Sequence, residues 1–364
     1  AFHHNRESLA AQGVHYVGRN RQPMRGVTAV TSRTPMIGDR QPSMAHWERL
    51  VREFRDADAP RVVLSSEFFA DAQDDDDVRV IMDELGRERA HIVVTLRPLA
   101  RILASQWQQY VQNGLRSSYD QWLESMFDEP PYVRPTPSFW RRHRHDRLVA
   151  RWVAQVGAEN VTVVVVDDSD RTMVTRTFEE MLGLAGGTLV PEPDRHNRSL
   201  TYAEAELVRT FNGYFKEHRW PPRLYSRLIR HGAVTEMKRR RTGERDTPVT
   251  TPPWAVERAV TVGAAAAEAI GRSGVRVVGD LAVLGHEPPP EPDRPEPLLA
   301  PEVASRALVG AIAASGAVER YRVADAPKKP KKRGPYVHEL TTAQLLGVIG
   351  GRVRRRLTRG GGTS

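Results

Sequence analysis

The chain has 364 residues, 40% of them hydrophobic, with a formal net charge of +9 and no cysteine. That length can bury one large core or two modest ones, and the missing cysteines exclude a disulfide framework, thiolate catalysis and cysteine-ligated zinc. No apolar run approaches the ~18 residues of a membrane span, and the opening AFHHNRESLAAQG lacks the basic-then-apolar order of a signal peptide, so a cytoplasmic protein is expected. The first residues read as the middle of a helix, as in a fragment or a processed chain.

In chain order, NRESLAAQGVHYVG predicts a helix end, a Gly stop and a short strand, Val14–Val17. HWERLVREFRDA has the apolar spacing of an amphipathic helix, and RVVL at Arg61–Leu64 that of a short buried strand. DVRVIMDELGRER predicts the next helix, its first turn supplied by the acids Asp74–Asp77, which suit the helix dipole. Ile92–Leu96 is a second strand, followed by a helix from Pro98 to about Asn113 that stops at Gly114. YDQWLESMF is helical, PSFWRRHRHDRLVARWVAQVG predicts one longer basic helix, NVTVVVVDD the strongest buried strand, and TRTFEEMLGL its following helix. Near-continuous apolar strands alternating with helices predict an α/β fold, a parallel sheet covered on both faces.

After Pro191 the pattern turns helical, over Tyr202–Glu217, Pro222–His231 and Trp254–Arg272, before a last strand in VRVVGD. The organisation expected is a domain over 1–286, a proline-rich linker over 287–300 and a basic tail over 301–364. Thr341 and Gln344 mark a capping box for a terminal helix in that tail. There is no internal repeat.

Ligands of open parallel sheets bind beyond the carboxyl ends of the strands. Arg97 stands at such an end, directly before Pro98, a suitable first helical residue, and therefore beside helix-start amides that favour an anion. Leu99, Ile102, Leu103, Trp107, Tyr110 and Val111 make the apolar stripe of that helix; Ser105 falls on the other side, in line with Arg101 and Gln108. Arg97 and Ser105 together can hold a phosphate. The competing reading pairs Arg97 with a carboxylate and leaves Ser105 solvated. At the exit of the preceding strand, Glu67 can accept a proton from a substrate hydroxyl, or serve as a cap or ion-pair partner.

At these residues the chain resembles the sulfotransferases that use 3′-phosphoadenosine 5′-phosphosulfate. TLRPLARILASQWQQYVQNG is similar to the family's 3′-phosphate-binding strand and helix, and the resemblance places its arginine and serine at Arg97 and Ser105. VVLSSEFF is similar to the strand end that bears the catalytic base in many members, here Glu67; NRSLTYAEAELVRTFN and VRVVGDLAVL resemble later bacterial segments. It covers about residues 1–286 and implies a P-loop-NTPase-like sheet and sulfuryl transfer from the nucleotide donor to a small-molecule, glycan or lipid acceptor, with no metal. One departure stands out: the family's glycine-rich loop, Lys-x-Gly-Thr-Thr, which cradles the 5′-phosphosulfate, occurs nowhere in the sequence. The first strand and this loop are thus expected to be missing, and the chain as given to be impaired.

Other features weigh less. His143 and His145 are two apart, and such positions on one helix do not share a face, so a solvated basic helix is expected there. His196 and Arg198 occupy a loop that could reach the nucleotide, and Lys238–Pro248 is a basic segment near where the family closes over it. The basic tail lacks interleaved aromatics apart from Tyr336 and follows no DNA-binding motif. No nucleic acid partner is expected; a weak membrane-surface contact by the tail is. Two rival readings remain: a non-catalytic anion-binding protein acting through its tail, and a kinase-like phosphotransferase on the same sheet.

Overall fold

A computed structural model describes residues 2–128, 135–191, 198–243, 246–289 and 298–316. The chain is α/β, with short parallel strands flanked by helices. Helix α1 (Arg6–Ala10) leads into β1 (Val14–Tyr16), then α2 (Met24–Val30), α3 (Ala45–Asp56) and β2 (Arg61–Val63). A 3₁₀ turn over Glu67–Asp71 precedes α4 (Asp75–Leu85), whose N-cap Asp74 accepts the Asp77 amide at 2.9 Å. β3 (Ile92–Leu96) feeds α5 (Leu99–Gln112), with Gly114 beyond it at φ +93°. Then come α6 (Tyr119–Phe127), α7 (Ser138–His143), α8 (His145–Val156), β4 (Val161–Val165) and α9 (Met173–Leu182).

The later part is helical, as the pattern predicts. α10 (Tyr202–Glu217) starts on a capping box of Thr201 and Glu204. It is followed by α11 (Pro222–Leu224), a π-helical stretch over Tyr225–Ala233, α12 (Val234–Arg239) and α13 (Pro253–Gly271). β5 (Arg276–Val278) and α14 (Pro301–Ser315) complete the described elements. The helix predicted to stop at His231 runs on to Arg239, because the wider π-helical turn carries the chain onward.

The strands form two parallel sheets. β1 pairs with β2 (Val14 opposite Arg61), and β4 lies between β3 and β5, with Leu96 opposite Val165 and Val164 opposite Val278. β4, flanked on both sides, is wholly buried, while β3 keeps four of its five residues partly or fully exposed. Val62 of β2 and Ile92 and Val94 of β3 pack against one core, yet these strands share no ladder. A second core, around Trp107, Trp122 and Phe139, joins α5, α6, α7, α10 and α13.

Two expectations change. The long basic helix is broken, since Arg144 leaves helical geometry (φ −78°, ψ 80°) between α7 and α8. The compact unit runs to Ser315 rather than ending near residue 286. α14, assigned from sequence to the tail, packs against the π-helical stretch at a glycine crossing, where a Cβ on Gly232 would meet the Gly310 carbonyl oxygen at 2.7 Å. Residues 317–364, with the basic runs at 328–333 and 352–356 and the Thr341–Gln344 capping box, lie outside the described residues.

Candidate functional site

Within each parallel sheet the strands exit on one edge: Arg97 lies just past β3, and Glu67 follows β2 in the other sheet. β3 delivers Arg97 one residue past Leu96, whose carbonyl accepts the Val166 amide at 2.8 Å. This bond holds the exits of β3 and β4 side by side, and the Arg97 guanidinium pairs with Asp168, just beyond β4. Both side chains are about half exposed. Asp168 belongs to an acidic turn whose other members are occupied. Asp167 accepts from the Ser169 amide and hydroxyl at 2.8 and 2.7 Å, and Asp170 from the amide and hydroxyl of Thr172 and from Arg176. Those hydrogen bonds, led by the Thr172 hydroxyl, hold the Asp170 carboxyl down at about 2.

Pro98 caps α5, and Arg101 donates its amide to the Pro98 carbonyl, so the first α5 amides precede the internal ladder as an anion site requires. Ser105 donates its hydroxyl back to the Ile102 carbonyl at 2.9 Å. Its neighbour on the polar stripe, Gln108, is buried and accepts the Leu200 amide at 2.8 Å. The segment after Arg198 is therefore laid against this stripe.

Arg198 itself is structural. It grips the fully buried Glu204 through two bonds of 2.7 and 2.8 Å and donates to the carbonyls of Met237 and Arg240. Arg240 joins the same carboxylate and also Asp246. Of the basic run at 238–241, Arg240 is consumed by this network and Arg239 pairs with Glu236. Lys238 makes no ion pair among the described residues, and burial, with help from Arg198, lowers its ammonium pKa. His196 lies outside the described residues.

At the exit of β2, Ser66 rather than Glu67 caps the 3₁₀ turn, accepting the Phe68 amide at 3.3 Å. Glu67 is exposed and makes no ion pair among the described residues, although its charge reaches Arg142. Behind it lies a cluster that sequence reasoning missed. Asp71 is fully buried and held by Arg33 Nε at 2.5 Å and by both Nε and a terminal nitrogen of Arg142, each at 2.5 Å. Arg33 also stacks over the Phe68 ring at 4.4 Å. Burial opposes the Arg142 charge, but its bonds to Asp71, with smaller help from Tyr110 and Glu67, leave the guanidinium pKa raised. The Tyr110 hydroxyl, facing Ser138 at 3.1 Å, has its pKa raised by burial. The only sequence signal for Asp71 is one acid inside the apolar stretch EFFADA.

The histidine pair also departs from expectation. The break at Arg144 brings the rings of His143 and His145 to 6.2 Å, with His145 buried and His143 partly so. Burial depresses both, His145 to about 4. No third His, Asp or Glu joins them in a group placed to hold a metal ion among the described residues.

Arg97 and Ser105 thus share one strand–helix junction, and Glu67 stands at the same kind of exit on the other sheet, without contact to either. No protein-family model, curated protein or solved structure matches the chain. No helix among the described residues is long and apolar enough to cross a membrane.

Proposed function

We propose that the protein is a sulfotransferase that moves a sulfuryl group from 3′-phosphoadenosine 5′-phosphosulfate to a hydroxyl or amine. The observation that carries this reading is Arg97 at a parallel-strand exit, beside the start of α5, with Ser105 further along its polar side. In this reading Arg97 and the leading α5 amides hold the 3′-phosphate, and the Ser105 hydroxyl turns from Ile102 to join them. Glu67, exposed at the exit of β2 and without an ion pair among the described residues, takes the acceptor's proton. Lys238, beside the segment that covers the α5 stripe, is a further cation for the nucleotide. Sulfuryl transfer, like phosphoryl transfer, rests on positioning and charge stabilisation.

The test is calorimetric titration with adenosine 3′,5′-bisphosphate, beside Arg97→Ala. Micromolar binding that disappears in the variant supports the reading; no binding by a folded chain overturns it.

One observation favours the rival. Residues 317–364 carry twelve Lys and Arg against three Asp and Glu, the whole of the chain's +9, leaving the first 316 residues neutral. Polyanion binding that persists in Arg97→Ala, weakens steeply with salt and falls when Lys328, Lys329, Lys331 and Lys332 become Gln would place function in the tail.

A further inference from the structure

Helix α10 ends in a motif that ordinarily requires glycine. The Arg219 amide donates to the Lys216 carbonyl at 3.0 Å and the Trp220 amide to the Phe215 carbonyl at 3.4 Å, the paired bonds of a Schellman stop. The residue between them must be left-handed, and here it is Arg219 at φ +52°. A side chain in that region costs roughly 1–2 kcal/mol that glycine avoids. No carboxylate among the described residues pairs with Arg219, so the fold gains nothing from its charge. Unexplained local strain of this kind tends to mark a functional position.

Arg219 sits at the mouth of a cleft of about 270 Å³, close to the lower end of the ~300–1,000 Å³ range of small-molecule sites. Its wall is aromatic. Phe215 meets Trp220 edge-on at 5.7 Å and Tyr225 at 5.2 Å, and the Trp220 ring is left 42% exposed. The polar floor is already satisfied: the Tyr225 hydroxyl donates to Asn212 Oδ1 at 2.6 Å, and Asn212 Nδ2 to the Leu115 carbonyl at 2.7 Å. Three exposed cations at the rim, Arg116, Lys216 and Arg219, have no ion-pair partner among the described residues. No acid lines the cleft among the described residues, and none of Glu67, Arg97 and Ser105 does.

We propose that this cleft is a binding site for a small aromatic anion, its ring against Phe215 and Trp220 and its carboxylate, sulfonate or phosphate on the rim cations, with Arg219 the principal contact. An apolar ring gains from the wall, and its charged group finds donors only at the rim. The proposal is independent of sulfuryl transfer at the strand exits.

The probe is 2-naphthalenesulfonate, titrated calorimetrically into the full chain beside the uncharged 2-naphthol. The sulfonate should bind at least tenfold more tightly than the naphthol. Arg219→Gly should weaken it about tenfold or more, the scale of one charged hydrogen bond. Because glycine suits the left-handed position, that variant should keep or raise the unfolding midpoint, by up to about 2 °C. Trp220→Ala should also lose binding. Arg219→Lys, which keeps the charge but loses the fork, should fall between. Undiminished binding in Arg219→Gly, equal affinity for 2-naphthol, or no binding at millimolar probe would each overturn the proposal.

Discussion

Each sheet of this molecule ends in a carboxylate held by arginine, and the two pairings differ in the water around them. Past β2, Asp71 has no exposed surface and is held by Arg33 and Arg142. Past β3, Arg97 and Asp168 keep 52% and 38% of their side chains in solvent. An exposed pair contributes roughly 0–1 kcal/mol, so Asp168 can yield Arg97 to another anion at little cost. A buried carboxylate between two guanidiniums cannot be exchanged that way, since removing one member leaves uncompensated charge in low dielectric. The first pair is scaffold, fixing the turn that carries Glu67 and tying it to α7. The second is where a ligand can compete.

The sharpest way to break this contrast is to neutralise both acids separately. Asp71→Ala leaves Arg33 and Arg142 buried without a counter-charge, and should cost about 3–5 kcal/mol of stability, read from urea unfolding midpoints. Loss of less than 1 kcal/mol would mean water or another acid reaches the cluster, and the scaffold reading would fail.

The helix that supplies Arg142 ends at His143, and the break at Arg144 leads to His145 at the start of α8, which extends the comparison to pH. His145 is charged in the unfolded chain below its ordinary pKa of ~6.5 but stays neutral when folded until about pH 4, held down by burial against the opposing pull of Asp146. His143 shifts the same way, with His145 and Arg142 adding to the effect of burial. A base whose pKa is depressed on folding leaves stability intact above ~6.5 and erodes it as pH falls toward the folded value. His145 alone should therefore remove about 3 kcal/mol between pH 6.5 and 4. Unfolding midpoints across that range test this, and His145→Gln should flatten the slope by about that amount. An unchanged slope would show that His145 is protonated in the folded chain.

Much of the framework was legible because it is local. The β-branched runs marked Ile92–Leu96 and Val161–Val165, and the 3.6-residue spacing marked α5 and α10. What was not legible depends on partners distant in sequence. Arg97 could be placed at a strand tip, but its bond to Asp168 crosses 71 residues, and nothing in VVDDSD singles out one acid. Asp71 is read as one more acid before an acidic helix start until Arg33 and Arg142 converge on it. The histidines were assigned to solvent because an unbroken helix separates them, and the break at Arg144 has no Gly or Pro to announce it. α14 looked like tail because its alanines and glycine carry little pattern, yet Gly310 is what lets it approach Gly232 closely.

The smallest expected effects are the most informative about function. Arg97→Ala and Asp168→Asn should each change stability by less than about 1 kcal/mol, as an exposed pair implies, so neither result can be attributed to misfolding. Their effects on anion binding should be opposite in sign. Arg97→Ala removes the strand-exit guanidinium that this reading places on the 3′-phosphate, and adenosine 3′,5′-bisphosphate affinity should be lost. Asp168→Asn releases Arg97 from its internal competitor and removes a like charge from the ligand's path. Affinity should then rise several-fold at low salt, with the gain shrinking as ionic strength screens the exposed charges. Should Asp168→Asn weaken binding instead, the carboxylate would be positioning Arg97 for the ligand rather than competing with it, and the exposed pair would be a built part of the site.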